Sequence, residues 1–443
     1  MGQGLDRAPK PREAKDMADP NPPQGFYAVS AGTPPARPRL TGTVKADACV
    51  IGAGFTGLSA ALTLAQSGAK VVVLEAETVG FAASGRNGGQ IHTGHRKTQE
   101  ELERWLGNVH ARDLWDLCEE SKTLLRENLR AHAIDCDLKD GLVIAAHNKG
   151  AIPALAEETE YLVKYYGYSQ MRMMDAAETV RQLGTEAYPA ARYDMGGGHI
   201  HPLKYARGMA VAAEKAGAQI FEHSRVRAID EDRAGANVRC ADGLVTADHI
   251  LLATDAFIAD LAPQLAKYIG HVESFVSATE PLDEELNAKV LPCDAAVADT
   301  RHVLDYYRKS ADGRMLYAGR ESYWTIPKDI AAVVRPRMLS VFPNLASVKT
   351  EYAWSGDVGI TATRMPHLGR LSPRMLFAYG YSGQGVALTN IGGKVMAEAV
   401  LGKPERFEAL ARVPPTPFPG GALLRKPLVS GALMWFKLMD SVG

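Results

Sequence analysis

The feature that most constrains this chain is the run Cys49-Val-Ile-Gly-Ala-Gly-Phe-Thr-Gly57, where three glycines follow a short apolar strand. Gly52 permits a tight turn off the strand, and Gly54 lets a backbone approach a pyrophosphate. Gly57 lets the following helix lie close to the sheet. A second apolar run, Val71–Leu74, follows that helix. The pattern predicts a βαβ nucleotide-binding unit that begins near residue 46.

Glu75 ends the second strand of this unit. Its carboxylate can accept hydrogen bonds from ribose hydroxyls and repels a 2′-phosphate. The helix N-terminus offers free N–H groups and a partial positive charge to phosphates. Together these features predict an adenosine cofactor of the NAD or FAD type.

Composition excludes several other classes of protein. The 443 residues carry 50 basic and 51 acidic side chains, so no excess of positive charge is available for a nucleic acid. The apolar share of 46% is typical of a globular protein. The five cysteines form no CxxC pair, which predicts neither a disulfide framework nor a metal site and favours a reducing compartment.

No segment resembles a secretory signal, and no stretch reaches the roughly 18 to 20 apolar residues of a membrane span. A cytoplasmic location is therefore expected. The apolar run from Leu428 to Met439 is too short to cross a bilayer. Peripheral membrane contact by this C-terminal run and packing against the body of the protein both stay open.

A second glycine-rich segment, Ser84-Gly-Arg-Asn-Gly-Gly-Gln90, follows shortly after Glu75. Regular alternation of strands and helices would continue here in an NAD domain, whereas a glycine-rich loop suits an FAD whose flavin passes along the backbone. With the preceding Gly80-Phe-Ala-Ala, this segment resembles the D-amino-acid oxidase-like superfamily of FAD-dependent oxidoreductases. Within that superfamily it is similar to the gamma-glutamylputrescine oxidase-like branch.

Three later segments resemble the same superfamily in the same order. They run from His201 to Val226, from Leu251 to Ala256 and from Tyr379 to Leu388. The resemblance implies that Val226 contacts adenine and that the glycines at the end of the last segment lie at the flavin. Some members of this superfamily attach flavin covalently through a cysteine shortly before the C-terminal motif. Because no cysteine lies between Trp354 and Arg374 here, the resemblance implies noncovalent FAD. The predicted cofactor-binding residues are Gly52, Gly54, Phe55, Thr56, Gly57, Glu75, Ala76, Ser84, Gly85, Arg86, Asn87, Gly88, Gly89, Gln90, Val226, Ala253, Thr254, Gly380, Ser382, Gly383, Gln384, Gly385 and Val386.

The resemblance and the pattern of strands together predict an α/β fold. A Rossmann-like FAD-binding domain is expected over 44–135, 194–258 and 353–405. An interleaved α+β substrate domain with a mostly antiparallel sheet is expected over 136–193 and 259–352. Residues 1–43, rich in Pro and charge, read as a flexible tail, and 406–443 as a C-terminal extension.

Three residues are candidates for the chemistry. His92 follows the glycine-rich loop and would form a polar wall beside the flavin, although a loop histidine, like His95, is more often a structural hydrogen-bonding group. Arg320 lies where related amine oxidases carry a basic residue that promotes reaction with O2; the alternative is a surface arginine paired with Glu321. Trp354 is an aromatic candidate for a substrate wall that holds an alkylammonium chain, with core packing as its alternative.

The resemblance implies FAD-dependent oxidation of an amine, with hydride transfer to flavin, hydrolysis of the imine to an aldehyde, and reduction of O2 to H2O2. Gamma-glutamylputrescine or a related amino compound is the expected substrate. One alternative is a dehydrogenase for an amine or a cyclic or N-methyl amino acid that passes electrons to a quinone or an electron-transfer protein. A second is a noncatalytic or RNA-modifying FAD-binding protein, which the balanced charge disfavours.

Overall fold

The computed structural model describes residues 25–233, 235–322, 326–420 and 431. The helices are α1 (Phe26–Ser30), α2 (Phe55–Gln66), α3 (Ala83–Arg86), α4 (Gln99–Leu106), α5 (Asn108–Ala131), α6 (Ile152–Tyr166), α7 (Ala176–Leu183), α8 (Pro202–Lys215), α9 (Ile258–Leu261), α10 (Glu284–Lys289), α11 (Ile330–Val341), α12 (Gly385–Val400) and α13 (Glu405–Ala411).

The seventeen strands of the described residues form two sheets, and each sheet takes its strands from several separate stretches of the chain. The strands are β1 (Gly42–Ile51), β2 (Val71–Leu74), β3 (Gln90–Ile91), β4 (Lys139–Ala145), β5 (Met171–Met174), β6 (Ala191–His199), β7 (Gln219–Phe221), β8 (Ala228–Glu231), β9 (Ala236–Arg239), β10 (Gly243–Leu252), β11 (Ile269–Pro281), β12 (Ala296–Asp299), β13 (Tyr306–Lys309), β14 (Arg314–Ser322), β15 (Thr350–Thr361), β16 (His367–Arg370) and β17 (Met375–Tyr379).

The first sheet has the strand order β16-β17-β10-β1-β2-β7, with the β8–β9 hairpin attached to β10. Its central pairs, β17–β10, β10–β1, β1–β2 and β2–β7, are parallel. All four residues of β2 are buried, as a parallel strand covered on both faces requires. The predicted βαβ unit is confirmed, and so is the Rossmann-like fold that it implies.

Helices α2, α5, α8 and α12 cover one face of this sheet. The helical region predicted between Thr98 and Ala133 is present as α4 and α5, which meet at Gly107. Gly107 takes a φ of 84°, a left-handed conformation that glycine adopts without strain. A capping box between Thr98 and Glu101 begins α4. The helices thus present a long apolar stripe to the sheet that carries the nucleotide motif.

The second sheet has the order β15-β11-β14-β13-β12-β4-β6-β3, with β5 paired to β6. Its pairs are antiparallel except for β12–β4. The mostly antiparallel second sheet that the sequence predicts is therefore confirmed. An apolar cluster that includes α11 covers its outer face. Its inner face contributes Val276, Ala278 and Trp354 to a separate cluster with α1.

Strand membership differs from the predicted domain boundaries at three places. Strands β3 and β6 pair with each other in the second sheet, although β3 and most of β6 fall in segments predicted for the FAD domain. Strand β15 pairs with β11 along its whole length, so its residues from 353 onward also belong to the second sheet. The chain crosses from the first sheet to the second between β2 and β3, in the stretch that contains the second glycine-rich segment, and the predicted boundaries do not locate this crossing.

The predicted flexible tail is wrong for residues 25–43. Phe26 and Tyr27 of α1 are 5% and 2% exposed, and Tyr27 packs edge-on against Trp354 with ring centroids 5.1 Å apart. Burying two aromatic rings contributes about 2 to 3 kcal/mol each, enough to order a short helix. Residues 1–24 lie outside the described residues, as does the C-terminal run from Leu428 to Met439 except for Gly431.

Among the described residues, none of the helices combines the length and the apolar character needed to cross a membrane.

Candidate active site

A cavity opens at the carboxyl ends of β1, β2 and β10, where parallel strands of an open sheet place their ligands. Its volume is about 970 Å³, including the open mouth. The lining combines the first glycine turn, the end of β2, part of the second glycine-rich loop and the segment that follows β10. Of the predicted cofactor-binding residues, the lining includes Gly52, Gly54, Glu75, Ala76, Ser84, Val226, Ala253 and Thr254.

The glycines of the first motif are required by close backbone contacts. Gly52 has a φ of 103°, and a Cβ there would lie 2.6 Å from the carbonyl oxygen of Ala253. A Cβ on Gly57 would lie 1.9 Å from the carbonyl oxygen of Gly52, so a side chain would push α2 off the strand. These are the steric roles that the motif predicts.

Glu75 lies at the rim of the cavity with its carboxylate already oriented. One oxygen accepts the backbone N–H of Ala53 at 2.8 Å, and the other accepts that of Glu77 at 2.9 Å. Burial raises the pKa of Glu75, and the two hydrogen bonds oppose that rise. Each oxygen keeps a second acceptor site, which suits it to the two hydroxyls of a ribose.

The second glycine-rich loop is fixed largely by its own hydrogen bonds. Ser84 Oγ accepts the N–H of Phe55 at 3.0 Å, which holds the loop across the start of α2. Asn87 donates to the carbonyl oxygens of Ala83 and Ser84, and its own amide oxygen accepts the N–H of Gly89 at 2.7 Å. The loop therefore has one defined shape beside the cavity.

Several predicted residues of this loop make close contacts with other protein groups. Arg86 donates to the carbonyl oxygens of Phe81 and Ser355. A Cβ on Gly85 would lie 2.1 Å from Gly80 O, and one on Gly89 would lie 2.0 Å from Ile200 O. The remaining contacts are between Gly88 O and Arg308 Nε (2.7 Å) and between Gln90 Nε2 and Val297 O (2.8 Å).

Thr254 and Asp255 follow β10, and Asp255 is a cavity residue that the sequence analysis did not single out. Among the described residues, the buried Oγ1 of Thr254 has no hydrogen-bond partner. The Asp255 carboxylate accepts the N–H of Gly380 at 2.7 Å and that of Gly359 at 3.1 Å. Burial raises the pKa of Asp255. Asp255 thereby joins the first sheet to the C-terminal motif.

Three residues of the C-terminal motif have a left-handed backbone conformation. Gly380, Ser382 and Gly383 have φ values of 77°, 53° and 88°. Ser382 Oγ donates to Gly380 O at 2.9 Å and accepts the N–H of Thr361 at 3.2 Å, which stabilises its left-handed backbone. The turn leads directly into α12. The buried Oε1 of Gln384 has no hydrogen-bond partner in the described part of the chain.

The side chains of three predicted cofactor residues point into the core. Phe55 packs on Tyr205 with ring centroids 5.2 Å apart, and Thr56 Oγ1 donates to Tyr381 OH at 3.1 Å. Val386 is 7% exposed within the main apolar cluster. Only their backbone groups remain available to a ligand.

His92 is half-buried at the end of β3. Burial, and to a smaller extent the charge of Arg96, lowers the pKa of His92 to about 4. The imidazole is therefore neutral at pH 7. His95 is 7% exposed, and its Nε2 donates to Leu114 O at 3.2 Å. His95 therefore has the structural hydrogen-bonding role that is common for a loop histidine.

The other two catalytic candidates have different outcomes. Arg320 lies in β14 opposite Phe275, but its side chain is outside the described part of the structure. Trp354 is 3% exposed, and its Nε1 donates to Arg86 O at 2.9 Å. These contacts favour core packing, the alternative for Trp354, because α1 encloses the ring in an apolar cluster.

The described site fits FAD on its own features. The glycine turn has no room for a Cβ, Glu75 offers acceptors to a ribose, and Thr254 Oγ1 is a buried polar atom without a partner inside the lining. These features, on a Rossmann-like sheet joined to an antiparallel sheet, are those of a dinucleotide-binding protein and fit a flavin-dependent oxidoreductase.

Comparison with known proteins gives the family. Residues 47–399 match the family model described as DAO, FAD dependent oxidoreductase. The chain belongs to this family, whose members bind FAD, and it is an oxidoreductase. The predicted superfamily and branch are thereby confirmed.

Among its relatives, the chain is 39% identical to the gamma-glutamylputrescine oxidoreductase of Escherichia coli (strain K12) over 420 residues, which cover 94% of this chain and 98% of the relative. It is also 39% identical to the probable oxidoreductase OrdL of Haemophilus influenzae, over 91% of this chain and 94% of that protein. The crystal structure of glycine oxidase from Geobacillus kaustophilus is similar in fold, with a TM-score of 0.69 at 20% identity over 81% of this chain and 95% of that one.

Proposed function

We propose that this protein oxidises the amine group of gamma-glutamylputrescine or of a closely related amino compound, and that O2 is its electron acceptor. The observation that carries the proposal is the likeness to gamma-glutamylputrescine oxidoreductase, which extends over 94% of this chain and 98% of the relative. The matched region therefore includes both sheets. Segments of the antiparallel sheet as well as the nucleotide motif therefore contribute to the likeness.

Bound flavin supplies the acceptor for a hydride from the carbon next to the amine, after which water hydrolyses the resulting imine to an aldehyde. The chain's task is to bind a neutral amine and to orient its C–H bond. His92 suits the first part of that task. A ring with a pKa of about 4 can accept a hydrogen bond from the substrate nitrogen at pH 7 without adding a repelling positive charge.

The remaining residues hold the cofactor. Glu75 would bind the ribose hydroxyls, and the N–H groups at the start of α2 would face the pyrophosphate. We infer that FAD is held noncovalently, because no cysteine lies between Trp354 and Arg374. Cys49, Cys118 and Cys136, the buried cysteines, have pKa values raised by burial, so their thiols are unreactive.

The test is turnover of a substrate panel by FAD-loaded protein with H2O2 detection. The panel contains gamma-glutamylputrescine, putrescine, N-methyl amino acids, proline and glycine. The proposal expects gamma-glutamylputrescine to give the highest kcat/KM. Higher kcat/KM with glycine or proline, or no turnover of any amine, would refute it.

A second arm of the same test concerns the electron acceptor. Substrate-reduced enzyme is mixed with air-saturated buffer or, without oxygen, with a quinone analogue in a stopped-flow instrument. An oxidase is reoxidised by O2 far faster than free reduced flavin is. If the quinone reoxidises the enzyme and O2 does not, the protein is a dehydrogenase and the proposed electron acceptor is wrong.

A further inference from the structure

The loop that carries His92 is fastened along one face of α5. Its residues 93, 94 and 95 each contact a different turn of that helix, at positions 122, 118 and 114, which are spaced four residues apart and so share one face. The contacts are Lys122 Nζ to Thr93 Oγ1 (2.7 Å), Cys118 Sγ to Gly94 O (3.2 Å) and His95 Nε2 to Leu114 O (3.2 Å).

The first of these contacts is part of a closed ring of hydrogen bonds, which we call the Thr93 ring. Lys122 Nζ donates to Thr93 Oγ1 at 2.7 Å and to Tyr168 OH at 2.9 Å. Both hydroxyls then donate to the carboxylate of Asp194, at 2.6 Å from Thr93 and 2.8 Å from Tyr168. Two opposite charges are thus joined through two hydroxyls, and each hydroxyl has both a donor and an acceptor.

The ring is buried, which makes each of its bonds costly to lose. The Lys122 side chain is 5% exposed, and its third contact is with Glu119 Oε1 at 2.7 Å. Asp194 is 3% exposed. A buried charge that loses a partner cannot recover the bond from bulk water, so the ring favours one loop conformation.

The ring adjoins His92, the residue that the proposed function assigns to amine binding. Thr93 directly follows His92, and His92 directly follows β3, whose first residue ends the second glycine-rich segment. The charged groups that act on His92 are Arg96 of the same loop and Asp194 and Arg192 of β6. Asp194 therefore serves both the loop and the electrostatic surroundings of its imidazole.

We propose that Thr93, Lys122, Tyr168 and Asp194 are positioning residues that fix His92 against the substrate amine. None of them needs to contact the substrate, because they act through the backbone of the loop. The inference rests on the proposed function for the role of His92. The fastening of the loop itself is independent of the reaction.

The test compares Thr93→Val with Thr93→Ser in the FAD-loaded protein. Valine has nearly the shape of threonine but loses both ring bonds of the hydroxyl, whereas serine keeps them. The matched control is Thr185→Val, since Thr185 is buried, donates to Val341 O and accepts the N–H of Ala187 at 3.2 Å, on the outer side of the second sheet.

Two readouts are measured on each variant. Hydrogen–deuterium exchange of a peptide spanning residues 90–97 reports on the loop without any turnover. We expect exchange at least about tenfold faster in Thr93→Val than in the wild type, with Thr93→Ser and Thr185→Val unchanged. With the best amine of the panel, we expect kcat to fall about tenfold in Thr93→Val and to recover in Thr93→Ser, at an unchanged FAD content.

The outcomes separate the two proposals. Unchanged exchange in Thr93→Val would overturn the fastening of the loop, whatever the enzyme oxidises. Faster exchange at an unchanged kcat would overturn the positioning role. If no amine is turned over, the proposed function fails, while the exchange measurement still tests the loop.

Discussion

Replacing Gly57 by alanine tests the geometry of the nucleotide site at its tightest contact. The new Cβ would lie 1.9 Å from the carbonyl oxygen of Gly52, and ordinary contacts begin at about 3.4 Å. Helix α2 must therefore move outward by roughly 1.5 Å, or the turn must open. Movement of α2 is resisted from the other side, where Gly393 of α12 already approaches Thr56 O.

The magnitude follows from two opposing effects. Alanine in place of a helical glycine stabilises by about 1 kcal/mol. Overpacking costs about 1 to 3 kcal/mol when the neighbouring atoms can yield. Here the atom that the new Cβ meets, Gly52 O, belongs to the backbone and cannot rotate away as the end of a side chain could. The displacement also moves the N–H groups that would face the pyrophosphate. We expect FAD affinity to fall by at least about 30-fold, which corresponds to about 2 kcal/mol.

The assay is titration of apoprotein with FAD, followed by the quenching of flavin fluorescence. Gly150→Ala is the control, because Gly150 is exposed and its added Cβ would meet only the side chain of Asn148, at 3.3 Å. Wild-type FAD affinity in Gly57→Ala, with its far-ultraviolet circular dichroism unchanged, would refute this account of the site.

Three further predictions concern the cofactor. Glu75→Gln places an NH2 group against the N–H of Ala53 or Glu77, so FAD affinity should fall about 10- to 100-fold in the same titration; a smaller loss than in Glu77→Gln would contradict it. Burial and the neighbouring Asp357, which lines the cavity, raise the pKa of Glu273. Ionisation of Glu273 as pH rises adds negative charge next to Asp357 of the cavity lining, and FAD is an anion. FAD affinity should therefore decrease from pH 6 to 9, and decrease less in Glu273→Gln; equal slopes in the two proteins would exclude this pair as the cause. Acid precipitation should leave flavin absorbance in the supernatant, and yellow protein in the pellet would show a covalent bond.

The sequence was sufficient to predict those parts of the site that depend on backbone geometry within a short stretch of chain. Gly52, Gly57 and Glu75 lie within one βαβ unit, so strand, turn and helix fix their relation without help from the rest of the fold. Their steric roles are as predicted, and their contacts with a ligand stay predictions. The division into a parallel and an antiparallel sheet was predictable for a similar reason, since each follows from local periodicity.

Features that join distant segments were not predictable. Asp255 accepts N–H groups from Gly359, which lies in β15, and from Gly380, which directly follows β17; neither shares a sequence pattern with it. The Thr93 ring draws on α5, the segment before β5, and β6. For Trp354, the local sequence does not distinguish a substrate wall from core packing, because nothing in it reveals that α1 covers the ring.

Anaerobic mixing of the FAD-loaded protein with gamma-glutamylputrescine tests the central claim most directly. The account predicts that the visible absorbance of oxidised flavin bleaches in a single turnover, at a rate that saturates with substrate, and that admitted O2 restores it with one H2O2 formed per flavin. An absorbance that stays unchanged at saturating substrate, in a protein shown to contain FAD, would contradict it.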